Sequence, residues 1–392
     1  MWAQKEFLLM KWVTVWGNAP SITEHKPETY AKDITLRYPI TCAFGGEKVR
    51  LHFSNFCGTE PVTLSRVTLA RAMGDREVSL HNARLVTFGG EESITIPAGQ
   101  EVFSDEIIFR IKPKGVLAVS IYLRGFTLMR TGVVTEGPLS KGFFSLGDCT
   151  FSQVLPLEKT RSLSTFYFLC GMDLYTDDDK RAVILYGDSI TAQSWADYFA
   201  LECMNDPYNA TAVVRRAASG TRVLREYKCI TYESYGLSGE HRFAREISSV
   251  SGADTVIIQQ GINDIIHPVG TDVNPFRPMS DLPTAGELER GVEKYIDFAK
   301  GRGLDVYVGT LLPIKGWRTY APFREELRAS FNEWARSLGN IRGCIDFDEA
   351  VRSSRDPSAF AEGYDSGDHL HPSDKAYRAM AKLAFEYISG QR

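Results

Sequence analysis

Ser189 stands in the run Gly187-Asp188-Ser189-Ile190, directly after the apolar run Ala182-Val183-Ile184-Leu185-Tyr186. Asn263 stands in Gly261-Ile262-Asn263-Asp264, after Val256-Ile257-Ile258, and Asp368-His369-Leu370-His371-Pro372 lies near the C-terminus. A serine hydroxyl is a weak nucleophile until a base takes its proton. His371 can be that base. Asp368, three residues earlier, can accept from its Nδ1–H and fix the tautomer. An asparagine amide can donate to an oxyanion, an interaction worth roughly 3–4 kcal/mol of barrier. Ser189, Asn263, Asp368 and His371 therefore supply a nucleophile, an oxyanion donor and a base with its orienter, the chemistry of acyl transfer. Each piece alone has a plainer reading: Ser189 as a helix cap, Asn263-Asp264 as an Asx turn, the histidine pair as a surface loop. His369 is expected to point elsewhere. Asp188 and Asp264 within these runs, His267 just after one of them, and Trp317 and Tyr320 in the segment Lys315–Tyr320 after a further strand are the candidates for touching substrate.

The elements that must position these residues follow from the same runs. An unbroken apolar segment reads as a buried parallel strand, and Ala192 to Cys203 reads as a helix. A serine at such a strand-to-helix turn projects from the carboxyl edge of a sheet, where open α/β sheets bind ligands. Its backbone N–H lies near a helix N-terminus, which favours a developing anion. Strands at Val183–Tyr186, Val213–Val214, Val256–Ile258, Val306–Leu311 and Cys344–Phe347 alternate with helices near Phe243–Val250, Glu287–Lys300, Arg324–Leu338 and Lys375–Ile388. That alternation predicts a parallel sheet covered by helices. A long polar loop bearing Pro268, Pro275, Pro278 and Pro283 is expected between Asp264 and Glu287, as one wall of a pocket.

The order of the three runs, with their flanks, resembles the SGNH hydrolases, also called the GDSL esterase/lipase family, over roughly residues 180–392. The resemblance implies a flavodoxin-like three-layer α/β/α domain with Ser189 as nucleophile, His371 as base, Asp368 as its partner and Asn263 in the oxyanion hole. A second block, Arg216-Ala217-Ala218-Ser219-Gly220-Thr221, implies that the Gly220 N–H joins that hole beside the N–H of Ser189. Two features depart from the family pattern: Ala217, where relatives often carry glycine, and the basic pair Arg215-Arg216.

The preceding residues read differently. Val49 to Phe53 alternates apolar and polar, Ser93 to Gly99 ends in a turn signal, and Glu106–Ile111 and Val116–Leu123 are split by Lys112-Pro113-Lys114-Gly115. No helical period interrupts them, so residues 1–175 are expected to form an all-β sandwich or jelly roll as an accessory domain. The join is expected in Asp173 to Lys180, before a catalytic domain over 180–392. Some SGNH relatives carry an N-terminal β-sandwich with stretches similar to Leu51 to Pro61.

With 392 residues, two domains are the default, and 43% hydrophobic with 24% charged residues is an ordinary globular composition. A net charge of −4 weighs against a nucleic-acid partner. No apolar run approaches the roughly 20 residues that span a bilayer. Met1 to Pro20, interrupted by Lys11, is a poor secretory segment, so a cytoplasmic location is expected. Seven scattered cysteines without a C-x-x-C pair predict reduced thiols and no zinc site. The absence of GxGxxG and Walker motifs predicts no nucleotide cofactor, and the chemistry needs no cofactor. The expected activity is hydrolysis of small acyl esters, with acetyl groups on oligosaccharides favoured by the polar loop and by Trp317 and Tyr320. A lipase or thioesterase acting on longer chains is the alternative, as is a carbohydrate-binding protein with a dead hydrolase domain. Homo-oligomerisation is left open.

Overall fold

The computed structural model describes residues 9–23, 29–206 and 210–390; the start of the Met1–Pro20 segment lies outside the described residues. Five parallel strands form one sheet, ordered Ala212–Ala217, Ala182–Gly187, Ala253–Gln259, Asp305–Gly309, Gly343–Ile345. Numbered within this sheet, the order is 2-1-3-4-5, the flavodoxin-like arrangement. Ala182 to Tyr186 are wholly buried, which explains their continuous apolar run. The helices are α1 (Ser189–Ala192), α2 (Trp195–Asn205), α3 (Gly239–Ser248), α4 (Ile262–Ile266), α5 (Ala285–Gly301), α6 (Pro322–Ser337), α7 (Phe347–Val351) and α8 (Asp374–Gly390). α2 and α7 pack with α8, while α3 packs with α5 and α6 with both α4 and α5, giving the two outer layers of an α/β/α sandwich.

The first half of the chain is all antiparallel sheet. One sheet orders Met10–Gly17, Leu169–Asp177 and Gly46–Ser54, with Glu101–Phe103 and Ile107–Ile111 both paired to the last of these. A second, six-stranded sheet runs Thr160–Leu163, Gly142–Leu146, Ile34–Thr41, Val116–Leu123, Arg66–Ala72, Val78–Val86, and smaller two- and three-stranded sheets complete this half. Alternate residues Leu36, Tyr38 and Ile40, and Val49, Leu51 and Phe53, turn inward as period-two strands require. Their core is continuous with that of the parallel sheet.

The two halves are therefore joined by packing rather than by a tether. Strand Leu169–Asp177 occupies most of the stretch expected as a link, because Asp173 is buried against Arg50, Thr14 and Ser251 and Thr176 donates to the Gly45 carbonyl at 2.8 Å. Strand Met10–Gly17 lies against strand Ala212–Ala217 of the parallel sheet. The pair Arg215-Arg216, unusual for the family pattern, serves this junction. Arg216 donates to the carbonyls of Asn18 and Cys170, and Arg215 pairs with Asp197 and donates to Ser140. Among the described residues, no helix is long and apolar enough to cross a membrane.

Candidate active site

Strand Ala182–Gly187 ends where only glycine fits: a Cβ on Gly187 would stand 2.4 Å from Thr191 Oγ1 and 2.6 Å from the Gln259 carbonyl. Asp188 follows as the cap of α1, accepting from the Ile190 N–H at 3.0 Å. It is buried, and that burial pushes its carboxyl up to about 7 against the pull of the Ile190 N–H. Asp188 thus faces the interior as a cap.

Ser189, first in α1, places Oγ 2.9 Å from His371 Nε2, and His371 Nδ1 lies 2.7 Å from Asp368 Oδ2. The other Asp368 oxygen accepts from the N–H groups of His371 at 2.8 Å and Leu370 at 3.0 Å. Burial alone would raise the Asp368 carboxyl. The His371 ring and these N–H groups outweigh it and hold the carboxyl down to about 2, so it is ionised across the neutral range. The side chains of His371 and Asp368 are 22% and 42% exposed, so the relay lies open to incoming substrate. His369 has a carboxylate of its own, Asp365 at 2.5 Å, and packs against Gly316. The two histidines are thus fixed by different partners.

Gly220 has φ +78°, and a Cβ there would stand 2.5 Å from the Tyr235 ring, so this position requires glycine twice over. Asn263 does not sit in an open turn. It lies in the first turn of α4, buried, and its Nδ2 donates to the Thr221 carbonyl at 3.0 Å. That bond fixes the amide's orientation and leaves a second N–H to donate. The expected loop after Asn263 accordingly begins as helix. Asp264 turns both oxygens inward, accepting from the N–H groups of Val223 at 2.7 Å and Leu224 at 3.1 Å. Burial pushes its carboxyl up to about 6 despite those bonds. Its place is beneath the 220–224 segment, holding that segment against α4.

His267 ends α4 with its ring stacked on Tyr235 at 4.9 Å, among Tyr227 and Tyr232. Burial first, then the guanidinium groups of Arg277 and Arg222, holds it well below its ordinary range, so it is neutral. Trp317 is half-buried, with Arg318 over its ring at 4.6 Å, and Tyr320 donates its N–H to the Trp317 carbonyl at 2.8 Å. No described hydrogen bond or ring contact joins Trp317 or Tyr320 to Ser189, Asn263 or His371.

Sequence reasoning missed Arg242. From α3 it donates to the Gly187 carbonyl at 2.7 Å, to the Arg216 carbonyl at 3.3 Å and to Thr221 Oγ1 at 3.3 Å, and it pairs with Glu246 at 2.7 Å. One fully buried guanidinium thereby ties the serine turn to the glycine turn. In the sequence it looks like half of an ordinary i,i+4 surface pair with Glu246.

Among the described residues, His52, Glu101 and Cys170 bring three possible metal-ligand atoms within 4.8 Å of one another. Arg245 already pairs with Glu101 at 2.7 Å, and its charge and that of Arg216 both act on His52, which disfavours a further cation there.

The flavodoxin-like sheet has a serine at the exit of its first strand, Ala182–Gly187, hydrogen-bonded to histidine and through it to aspartate, an arrangement compatible with an α/β hydrolase. Residues 185–379 match the GDSL-like lipase/acylhydrolase family. The chain carries a domain of that family, which places it among the carboxylic ester hydrolases. No curated relative matches significantly in sequence. Among solved structures, a GDSL-like lipase from Bacteroides thetaiotaomicron is similar at 17% identity, with 54% of this chain and 89% of that chain covered and a TM-score of 0.40. A catalytic variant of an acetylxylan esterase from Geobacillus stearothermophilus is similar at 17% identity, with 53% and 94% covered and a TM-score of 0.39. Likeness at that level bears on neither substrate nor mechanism.

Proposed function

We propose that the protein is a serine esterase acting on small acyl esters through Ser189, His371 and Asp368. The observation that carries this reading is the unbroken relay of 2.9 Å and 2.7 Å from hydroxyl to imidazole to carboxylate. His371 Nε2 takes the Ser189 proton as Oγ attacks the ester carbonyl, and Asp368 stabilises the imidazolium. The oxyanion is met by the N–H groups of Ser189 and Gly220 and by the free N–H of the Asn263 amide. His371 then protonates the leaving alkoxide, and a water activated by the same imidazole releases the acid. In this reading residues 1–175 are the accessory part and 180–392 the catalytic part.

An acetyl ester on a saccharide is the favoured substrate. Its support is the open relay and the polar run Gly270, Thr271, Asp272, Asn274 after α4. Hydrolysis of longer acyl chains is the second reading, because Val273, Phe276 and Met279 on the same loop, and Phe323 on α6, are exposed apolar groups. A panel of p-nitrophenyl acetate, butyrate and octanoate, beside acetylated xylo- and manno-oligosaccharides, separates the two. Steeply falling kcat/KM from acetate to octanoate, with release of acetate from the oligosaccharides, is expected. A rising series with no release removes the saccharide reading, and undiminished activity in Ser189→Ala removes the esterase mechanism itself.

A further inference from the structure

Tyr235, whose ring lies against Gly220, belongs to a one-turn 3-10 helix, Glu233–Tyr235, in the segment between the glycine turn and α3. That turn is fastened to the β-rich half on both sides of the tyrosine. On one side Arg130 grips Glu233 with two parallel bonds, Nη1 to Oε1 and Nη2 to Oε2, each 2.9 Å. Arg130 is itself fixed from behind, since its Nε donates to the Cys57 carbonyl at 2.9 Å. On the other side the backbone of Gly236, at φ +75°, lies so close to Ser21 that a Cβ would stand 2.7 Å from its hydroxyl. Between these holds the turn is stiff, with the Tyr235 N–H on the Tyr232 carbonyl at 3.0 Å and the Gly236 N–H on the Glu233 carbonyl at 2.9 Å.

A forked guanidinium–carboxylate contact sets direction as well as distance, because the planar group cannot swivel without losing a bond. Side-chain exposures of 11% for Arg130 and 24% for Glu233 place the pair away from full solvent, where screening is weaker. An oxyanion donor misplaced by about an ångström loses much of its effect.

We propose that Arg130 is a positioning residue for ester hydrolysis: through Glu233 it seats Tyr235 on Gly220, so the β-rich half aims the oxyanion loop of the hydrolase half. The β-rich half is then part of the catalytic apparatus rather than a detachable binding module. The inference rests on Gly220 being an oxyanion donor, as proposed above.

The test compares wild type with Arg130→Ala, Arg130→Lys, Glu233→Gln, Gly220→Ala and the double variant Arg130→Ala/Glu233→Gln in p-nitrophenyl acetate hydrolysis, with a melting temperature for each. Arg130→Ala and Glu233→Gln are expected to lower kcat about tenfold or more while KM stays within about threefold. The double variant should be no worse than the more severe single, because both remove one contact, and Arg130→Lys should recover part of the rate. A pair that only glues the halves together would lower the melting temperature and leave kcat within about twofold of wild type; that result, or losses that multiply in the double variant, overturns the proposal. Should Arg130→Ala fail to fold, the isosteric Glu233→Gln and the charge-preserving Arg130→Lys decide it. Gly220→Ala at full kcat would instead remove the oxyanion reading beneath it, while an inactive Gly220→Ala beside fully active Arg130 and Glu233 variants removes the positioning role alone.

Discussion

Asp264→Asn probes the support beneath the glycine turn, and its effect should depend on pH in a calculable way. The wild-type carboxyl is pushed from its ordinary 3.8 up to about 6, by burial first. A folded-state value above the unfolded one means that the folded chain binds more protons between about pH 4 and 6. The contribution is complete below about pH 4 and is lost as pH rises through about 6, a loss of up to ~3 kcal/mol for two units. Asparagine does not titrate and has no such slope. It can still accept the Val223 N–H, now at 2.7 Å from Oδ2, but its NH₂ must then confront the Leu224 N–H. Leaving that donor unpaired costs about 1–3 kcal/mol. The variant should therefore be clearly less stable at acid pH, with the gap closing by up to ~3 kcal/mol towards pH 7.5. Asp188 reinforces the trend, because part of its own upward push comes from the Asp264 charge. Urea unfolding of both proteins at pH 4.5, 5.5, 6.5 and 7.5, with ester hydrolysis at each pH, measures this. Parallel pH profiles, or a gap that widens with pH, would refute the buried-carboxylate argument.

Ser189→Ala should abolish hydrolysis and leave the circular dichroism spectrum unchanged, since the hydroxyl carries little packing. His371→Ala should be comparably severe and His369→Ala mild, because His369 is tied to Asp365 and Gly316; a reversal in the rate assay would reassign the base. Asn263→Ala should lower kcat by about 10²–10³ with a smaller change in KM, and kcat within a few-fold of wild type would remove it from the oxyanion hole. Asp368→Asn should cost up to about 10⁴ in kcat, the limit for an orienting aspartate, and an unchanged rate and pH–rate profile would make Asp368 structural.

Two of the runs proposed to carry the chemistry were legible because they lie at the exits of parallel strands, where a short apolar segment and its turn residues are contiguous. Ser189 and Asn263 could be singled out for that reason, while Asp368 and His371 could be because they stand three apart and meet within a single loop before α8. What was not legible is what holds those runs together. Arg242 reaches from α3 to Gly187 and Thr221, and Arg216 reaches back to Asn18 and Cys170. Both are charged residues in the core, paired across long stretches of chain, and local composition reads such residues as surface. The same bias made the acidic stretch after Asp173 look like a linker, although Asp173 is buried in an ion pair with Arg50. The aspartates flanking Ser189 and Asn263 were expected near substrate. Asp188 and Asp264 instead spend their oxygens on backbone N–H groups, which periodicity cannot reveal.

Strand Met10–Gly17 has a bearing on how the chain is made. Its hydrogen-bonding neighbour is Leu169–Asp177, so Thr14 must find Asp173, 159 positions further along the chain. A ribosome adding about 5–20 residues per second leaves the strand without that neighbour for roughly 10–30 seconds. During that interval Trp12, Val13, Val15 and Trp16 are present on a nascent segment with an open edge, a template for pairing with other chains. Burial against strand Ala212–Ala217 comes later still. Production of this protein should therefore be sensitive to translation speed and to holdase chaperones, and the yield of soluble chain should respond to changes at these four positions more strongly than the stability of the finished fold does.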